Sequence, residues 1–151
     1  MKFTIQDFRK RFPDDAACLK EIMRLRYGTL THCPGCQEPA RFHRVRSRRC
    51  FECQWCAYQL YPTKGTIFEK SSTPLQLWFY ALYLMTATRS GVAAKELQRQ
   101  LGVTYKTAWR MAHEIRTLMG DRRARRLHGQ VEIDETYIGG EHPGPRGRGA
   151  L

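Results

Sequence analysis

Acidic residues are scarce in this 151-residue chain: 14 Asp and Glu stand against 26 Lys and Arg, a formal charge of +12. Long apolar runs are missing too. The most hydrophobic stretch, Leu75–Met85, has 11 residues, well short of the roughly 20 that a bilayer-crossing helix needs. The segment from Met1 to Phe12 interleaves charged and apolar residues, with no apolar stretch before a cleavage site, so it does not read as a secretory leader. No internal repeat is visible. At 42% hydrophobic and 26% charged residues the composition also excludes wholesale disorder. The expectation is a cytoplasmic protein with a polyanionic partner and no membrane partner.

The charge is uneven. Residues 1–31, 32–70, 71–128 and 129–151 carry +3, +4, +7 and −2. The densest run, Arg122, Arg123, Arg125 and Arg126, falls just before the sign reverses and reads as a basic linker over 121–128 that contacts phosphate. Beyond it, Gly139–Gly149 holds too much Gly and Pro to build a regular element.

Six cysteines are present: Cys18, Cys33, Cys36, Cys50, Cys53 and Cys56. Without a leader, a disulfide framework is not expected. Cys33-Pro34-Gly35-Cys36 is a Cys-x2-Cys hook, and after 13 or 16 intervening residues Cys50, Cys53 and Cys56 offer two overlapping hooks. Two hooks at this spacing read as a four-thiolate structural zinc site. A tight turn aims two sulfurs at one ion, and Pro34 and Gly35 suit such a turn. Spacing alone does not choose between the Cys50/Cys53 and Cys53/Cys56 pairs. Cys18 lies in an apolar segment and reads as core. His32 and His43 are not needed as ligands. Between the hooks, Arg41, Arg44, Arg46, Arg48 and Arg49 alternate with Phe42, Val45 and Phe51, which predicts a β-hairpin with one apolar and one cationic face. Such a ribbon, over 32–70, suits nucleic acid or another domain.

Ahead of the ribbon, residues 1–31 read as a helical N-terminus over Asp7–Tyr27. After it, residues 71–120 read as three helices. The first follows Pro74, with Ser72 and Thr73 as caps, and is apolar almost all round, hence central. Val92–Leu101 places Ala94, Leu97 and Leu101 on one face, and Gly102 stops it. Thr104 caps the third helix, Tyr105–Met119, with Ala108, Ala112, Ile115 and Met119 inside and Lys106, Arg110, His113 and Thr117 outside. A short helix, a glycine turn and a longer helix with a basic outer face form a helix-turn-helix pattern. Tyr105, Lys106, Thr107 and Arg110 would then meet bases and phosphates in the major groove, with His113 as a further phosphate contact. Trp109, between the two stripes, is expected to pack.

Residues 129–151 open on a strand pattern, with Val131 and Ile133 on one side and Glu132 and Asp134 on the other. Carboxylates on a strand can hold Mg2+, and two such ions can run phosphodiester chemistry.

The order of these motifs resembles bacterial insertion-sequence transposases. The residues that carry the resemblance are the Cys-Pro-x-Cys hook, the second hook, Gly65-Thr66-Ile67-Phe68, the run Leu101–Met111 and the run Val131–Gly140. That family has an N-terminal zinc ribbon, a helix-turn-helix and a DDE-type, RNase H-like catalytic domain. The resemblance selects Cys33, Cys36, Cys53 and Cys56 as zinc ligands, leaves Cys50 spare, and matches Asp134 to the first acidic residue of the catalytic triad. The family's other two metal-binding positions lie beyond Leu151, so the expectation is a truncated member that binds DNA without cutting it. Zn2+ would be structural, and Mg2+ would belong to a full-length catalytic domain.

The expected architecture is α+β and multi-module, ending in the first strand of an incomplete RNase H-like domain. The expected partner is double-stranded DNA at the element's terminal inverted repeats, with a second copy or a full-length transposase as further partners. Two other readings are kept: a stand-alone transcriptional regulator or autoregulator of the element, and an enzyme completed by a separate polypeptide encoded downstream.

Overall fold

The computed structural model describes residues 3–88 and 91–120. It is mixed α+β, with five helices and one three-stranded antiparallel sheet among these residues. The strand pattern at Val131–Ile138 and the basic run 122–126 lie outside them.

Two helices open the described chain. In α1 (Ile5–Arg11), the Asp7 backbone N–H donates to Thr4 Oγ1 at 3.2 Å and the Thr4 N–H donates back to Asp7 Oδ2 at 3.0 Å. This reciprocal cap satisfies two of the donors that a helix start leaves open. The hydrogen bonds from Thr4 hold the Asp7 carboxyl below its ordinary pKa. Pro13 then separates the helices, since proline disfavours helical geometry in the residue before it. Asp14 restarts the chain by accepting from Ala17 N at 2.7 Å, and α2 runs Asp15–Tyr27. The helical N-terminus expected over Asp7–Tyr27 is therefore made of two helices parted at Pro13.

The sheet comprises β1 (Phe42–Val45), β2 (Cys50–Cys53) and β3 (Gln59–Leu60), in the order β1-β2-β3. Its register pairs Phe42 with Cys53, His43 with Glu52, Arg44 with Phe51 and Val45 with Cys50. The expected division into one apolar and one cationic face does not occur. Phe42 and Val45 are three residues apart, and side chains alternate with period two, so they fall on opposite faces. Arg44 consequently shares a face with Phe42 and Phe51. On the other face His43, Glu52 and Gln59 lie side by side across the strands, with Gln59 Nε2 donating to Glu52 Oε2 at 3.0 Å.

The helix α3 (Leu75–Ala87) is the wall between two apolar clusters. On one side Leu75 joins Phe8, Phe12, Cys18, Leu19, Ile22 and Phe51. On the other, Trp78, Ala81 and Met85 meet α4 (Ala94–Leu101) and α5 (Tyr105–Gly120) through Leu97, Leu101, Ala108, Met111, Ala112 and Ile115. Phe68, from the Gly65–Phe68 motif, packs against both Trp78 and Phe79, with ring centroids 5.7 and 5.8 Å away. Cys18 is fully buried, as its apolar surroundings imply, and burial pushes its thiol up to about 12.

Neither Ser72 nor Thr73 caps α3. Its N-cap position is Pro74, and the Gln76 N–H is taken at 2.9 Å by Asp15 Oδ1, a residue of α2. Gly102 ends α4 in the left-handed region at φ 64°, where glycine is favoured. Thr104 Oγ1 then accepts from Thr107 N at 3.3 Å and starts α5. Met119, expected inside, is 59% exposed, and Met111 is buried in its place. The inner stripe of α5 runs 108, 111, 112, 115, and the last turn reaches beyond the helices it packs on.

The two tryptophans of the helical half should behave differently. Trp78→Ala empties a fully buried site and should cost about 3–5 kcal/mol in denaturant unfolding. Trp109, 53% exposed, should cost no more than about 1 kcal/mol when replaced by Ala.

Candidate functional site

Two backbone loops of the same design face each other at one end of the sheet. In the first, Cys33 N donates to Glu38 O at 2.8 Å and Gln37 N donates to Cys33 O at 2.9 Å. In the second, Cys53 N donates to Tyr58 O at 2.9 Å and Ala57 N donates to Cys53 O at 3.2 Å. Each loop turns on a residue in the left-handed region just after its second cysteine: Gln37 at φ 62° and Ala57 at φ 58°. Each also points an N–H at its first sulfur, Gly35 N at 3.4 Å from Cys33 Sγ and Trp55 N at 3.5 Å from Cys53 Sγ. Gly35 has a steric role besides, because a Cβ there would come within 3.0 Å of the Tyr58 ring.

The loops bring Cys33, Cys36, Cys53 and Cys56 together, with all four sulfurs within 4.8 Å of one another. The Cys33–Cys56 separation is 3.7 Å and the Cys36–Cys53 separation 3.9 Å. A tetrahedral zinc ion with Zn–S bonds of about 2.3 Å places its sulfurs about 3.8 Å apart. Bonded sulfurs would lie about 2.05 Å apart, and all six cysteines are free. Spacing left two second hooks open; the geometry brings Cys56 to the cluster. Cys50 stands outside it, buried in β2 opposite Val45, with its thiol raised by burial. His32 and His43 are not among the clustered ligands.

The electrostatics of the cluster favour a cation. Burial opposes ionisation of Cys33, but the N–H groups of Cys36 and Gly35 and the neighbouring thiols of Cys53 and Cys56 outweigh it, bringing that thiol down to about 7. At Cys36 the Glu38 N–H favours the thiolate, yet burial and the other three sulfurs prevail and push the thiol up to about 12. Cys56 is raised too: the Tyr58 N–H favours its thiolate, but burial and the sulfurs of Cys33 and Cys53 outweigh it. One thiol ionises readily and its neighbours then resist, so four thiolates coexist only around a positive charge. The donor set fits a metal ion such as zinc. With four protein ligands such a site is closed, and it offers structure rather than an open position for chemistry.

A second group of residues lies on α5. Tyr105, Lys106, Arg110, His113 and Thr117 are all exposed, as the pattern implies. Thr107 is half-buried and its hydroxyl lies 3.0 Å from Thr104 Oγ1, so it serves the helix start instead of projecting outward. Trp109, expected to pack, stacks in the open on His113, with ring centroids 5.4 Å apart and planes within 2°. The spacing Tyr105, Trp109, His113 signals this, since residues four apart share a helix face.

Arg110 is anchored. Its guanidinium lies 5.8 Å from the Trp78 ring centroid and donates to Ser71 Oγ at 3.2 Å. That same oxygen accepts from Trp78 Nε1 at 3.0 Å and from Thr73 N at 3.3 Å. The Ser71 carbonyl accepts from Arg49 Nη1 at 2.9 Å, and Arg49 Nη2 donates to Thr73 O at 3.2 Å. Arg49, read from sequence as part of a cationic face, therefore joins the hairpin to the segment that seats Arg110. Asp134, Arg122, Arg123, Arg125 and Arg126 lie outside the described residues.

Over 131 residues the chain is 29% identical to an uncharacterized protein in the transposable element ISH50 of Halobacterium salinarum. The match covers 85% of this chain and 44% of that protein, so the chain spans less than half the length of its relative. That source is archaeal, whereas the motifs had suggested bacterial elements. No family model matches the chain, and no solved structure matches it.

Metal analysis of the purified chain should give one ion per chain. Cys53→Ser and Cys56→Ser should each lose it, and Cys50→Ser should keep it. Protons compete with the metal for thiolates, so binding should strengthen as pH rises through the range in which the thiols ionise. A bound ion keeps its ligands ionised below their metal-free values, so release should require acidification well below the Cys33 value of about 7. A chromogenic chelator that records no release even on such acidification would contradict the thiolate site.

Proposed function

We propose that the chain is a transposase-related DNA-binding protein. In this reading a zinc ribbon over 32–70 and a helix-turn-helix over 71–120 together hold the terminal inverted repeats of an insertion element. The observation that carries it is the outward face of α5: Tyr105, Lys106, Trp109, Arg110 and His113 share it, and all five are exposed. The helix follows α4 through a three-residue turn at Gly102, the arrangement that presents a second helix to the major groove. The kinship with a transposable-element protein supports the same reading, as does the formal charge of +12.

The residues divide by task. Lys106 and Arg110 present cationic donors to phosphates and guanine edges. Arg110 arrives with its geometry already set by Ser71 and Trp78, which lowers the entropy lost on binding. Trp109 and Tyr105 offer apolar edges to thymine methyl groups. The four-cysteine centre, holding zinc, fixes the sheet. Phosphate contacts dominate affinity, so binding weakens steeply with salt.

Lys106→Ala removes a side chain with no hydrogen-bond or ion-pair partner among the described residues. It should weaken binding to the terminal repeats of the encoding element by about 1–3 kcal/mol. Fluorescence anisotropy against a random duplex measures both affinity and preference. An unchanged affinity in Lys106→Ala and in Lys106→Ala/Arg110→Ala would show that another surface reads the DNA.

A further inference from the structure

The hairpin tip forms a second cationic feature that α5 does not include. Between β1 and β2 the loop Arg46-Ser47-Arg48-Arg49 reverses the chain. Together with Arg44 it overhangs the start of α3, enclosing a cleft of about 140 Å3 whose far side is Leu19, Asp15 and Leu75. Four guanidinium groups and one carboxylate line it. The carboxylate is already engaged: Asp15 Oδ1 accepts from Gln76 N at 2.9 Å, and Oδ2 lies 3.7 Å from Arg49 Nη2. Arg49 is held in turn by the carbonyls of Ser71 and Thr73. Arg44, Arg46 and Arg48 are exposed and have no carboxylate partner among the described residues. Three unpaired like charges around one cleft repel one another, and an anion with several acceptor oxygens relieves that.

The position of the cleft indicates which anion. Ser71 stands between it and α5, its carbonyl held by Arg49 and its hydroxyl by Arg110. Arg49, which lines the cleft, and Arg110 of α5 thus meet at one residue, so a polyanion held at Arg110 would extend toward the hairpin tip. We propose that this cleft is a phosphodiester-binding site, in which Arg44, Arg46 and Arg48 clamp a DNA backbone phosphate flanking the groove that α5 enters. The inference rests on the DNA-binding reading and adds to it a second, sequence-independent contact.

The test uses the metal-loaded full chain and a random-sequence DNA duplex, with affinity measured across a salt series. Each phosphate contact contributes about 0.9 to the slope of log affinity against log salt. Arg44→Gln/Arg46→Gln/Arg48→Gln should therefore flatten the slope by about two to three, whereas the triple Lys variant should retain it. Should the triple Gln variant lose its metal, Arg46→Gln alone should flatten the slope by about 0.9. A wild-type chain that ignores DNA at low salt would sink the DNA-binding reading itself. A wild-type chain that binds, with Gln variants of unchanged slope, would overturn the cleft alone. Titration with inorganic pyrophosphate separates the remaining source: binding that duplex DNA fails to displace would assign the cleft to a small free anion and overturn the proposal.

Discussion

Mutual repulsion among four sulfurs is the constraint from which the rest of the molecule follows. The sheet beside them has strands of four, four and two residues, too short to hold together on pairing alone. Its buried apolar side chains are few: Phe51, Leu60 and the cysteines themselves. A cation held at the sulfurs would convert repulsion into cross-linking and replace the core that so small a module lacks. The sheet in turn fixes Arg49, Arg49 fixes the segment at Ser71, and Ser71 seats both Trp78 and Arg110. A line of hydrogen bonds thus runs from the hairpin through Ser71 to Arg110 on α5.

The helical half depends on a different economy. α3 is apolar on nearly all sides because it has two clusters to serve, one toward α1 and α2 and one toward α4 and α5. Phe68 touches the rings at the boundary between them. Its motif, Gly65-Thr66-Ile67-Phe68, carried part of the family resemblance in the sequence, and here it has a packing role. The polar cap that α3 lacks locally is supplied by Asp15 on α2, so the start of one helix is tied to the start of another.

What the sequence revealed was short-range. The two Cys-x2-Cys hooks were legible because a hook is a local turn. The periodicity of Leu97, Leu101, Ala108, Ala112 and Ile115 was legible because helical spacing is local too. The choice of Cys56 over Cys50 was not legible in the spacing, since it depends on which end of a hairpin meets the first hook; the family resemblance made it, and the clustered sulfurs agree. Asp15 capping Gln76, and Arg49 bonding Ser71, join residues far apart in the chain and leave no periodic trace. Trp109 was misplaced because a residue between an inner and an outer stripe is decided by the partner helix, not by its own. Met119 was misplaced because periodicity continues past the point where α5 runs out of neighbours. The faces of the hairpin were misread by overlooking that Phe42 and Val45 differ by an odd number of positions.

The anchorage of Ser71 limits how this protein can be recombined with others. A chimera that kept the helices and took its cysteine module from another chain would bring a foreign residue to position 49. Ser71 would then face that residue with its carbonyl unclaimed, while its hydroxyl still served Trp78 and Arg110. A workable graft has to carry Arg49 and the Ser71–Thr73 stretch as one inherited unit, with the crossover placed after Thr73 instead of at the apparent end of the sheet.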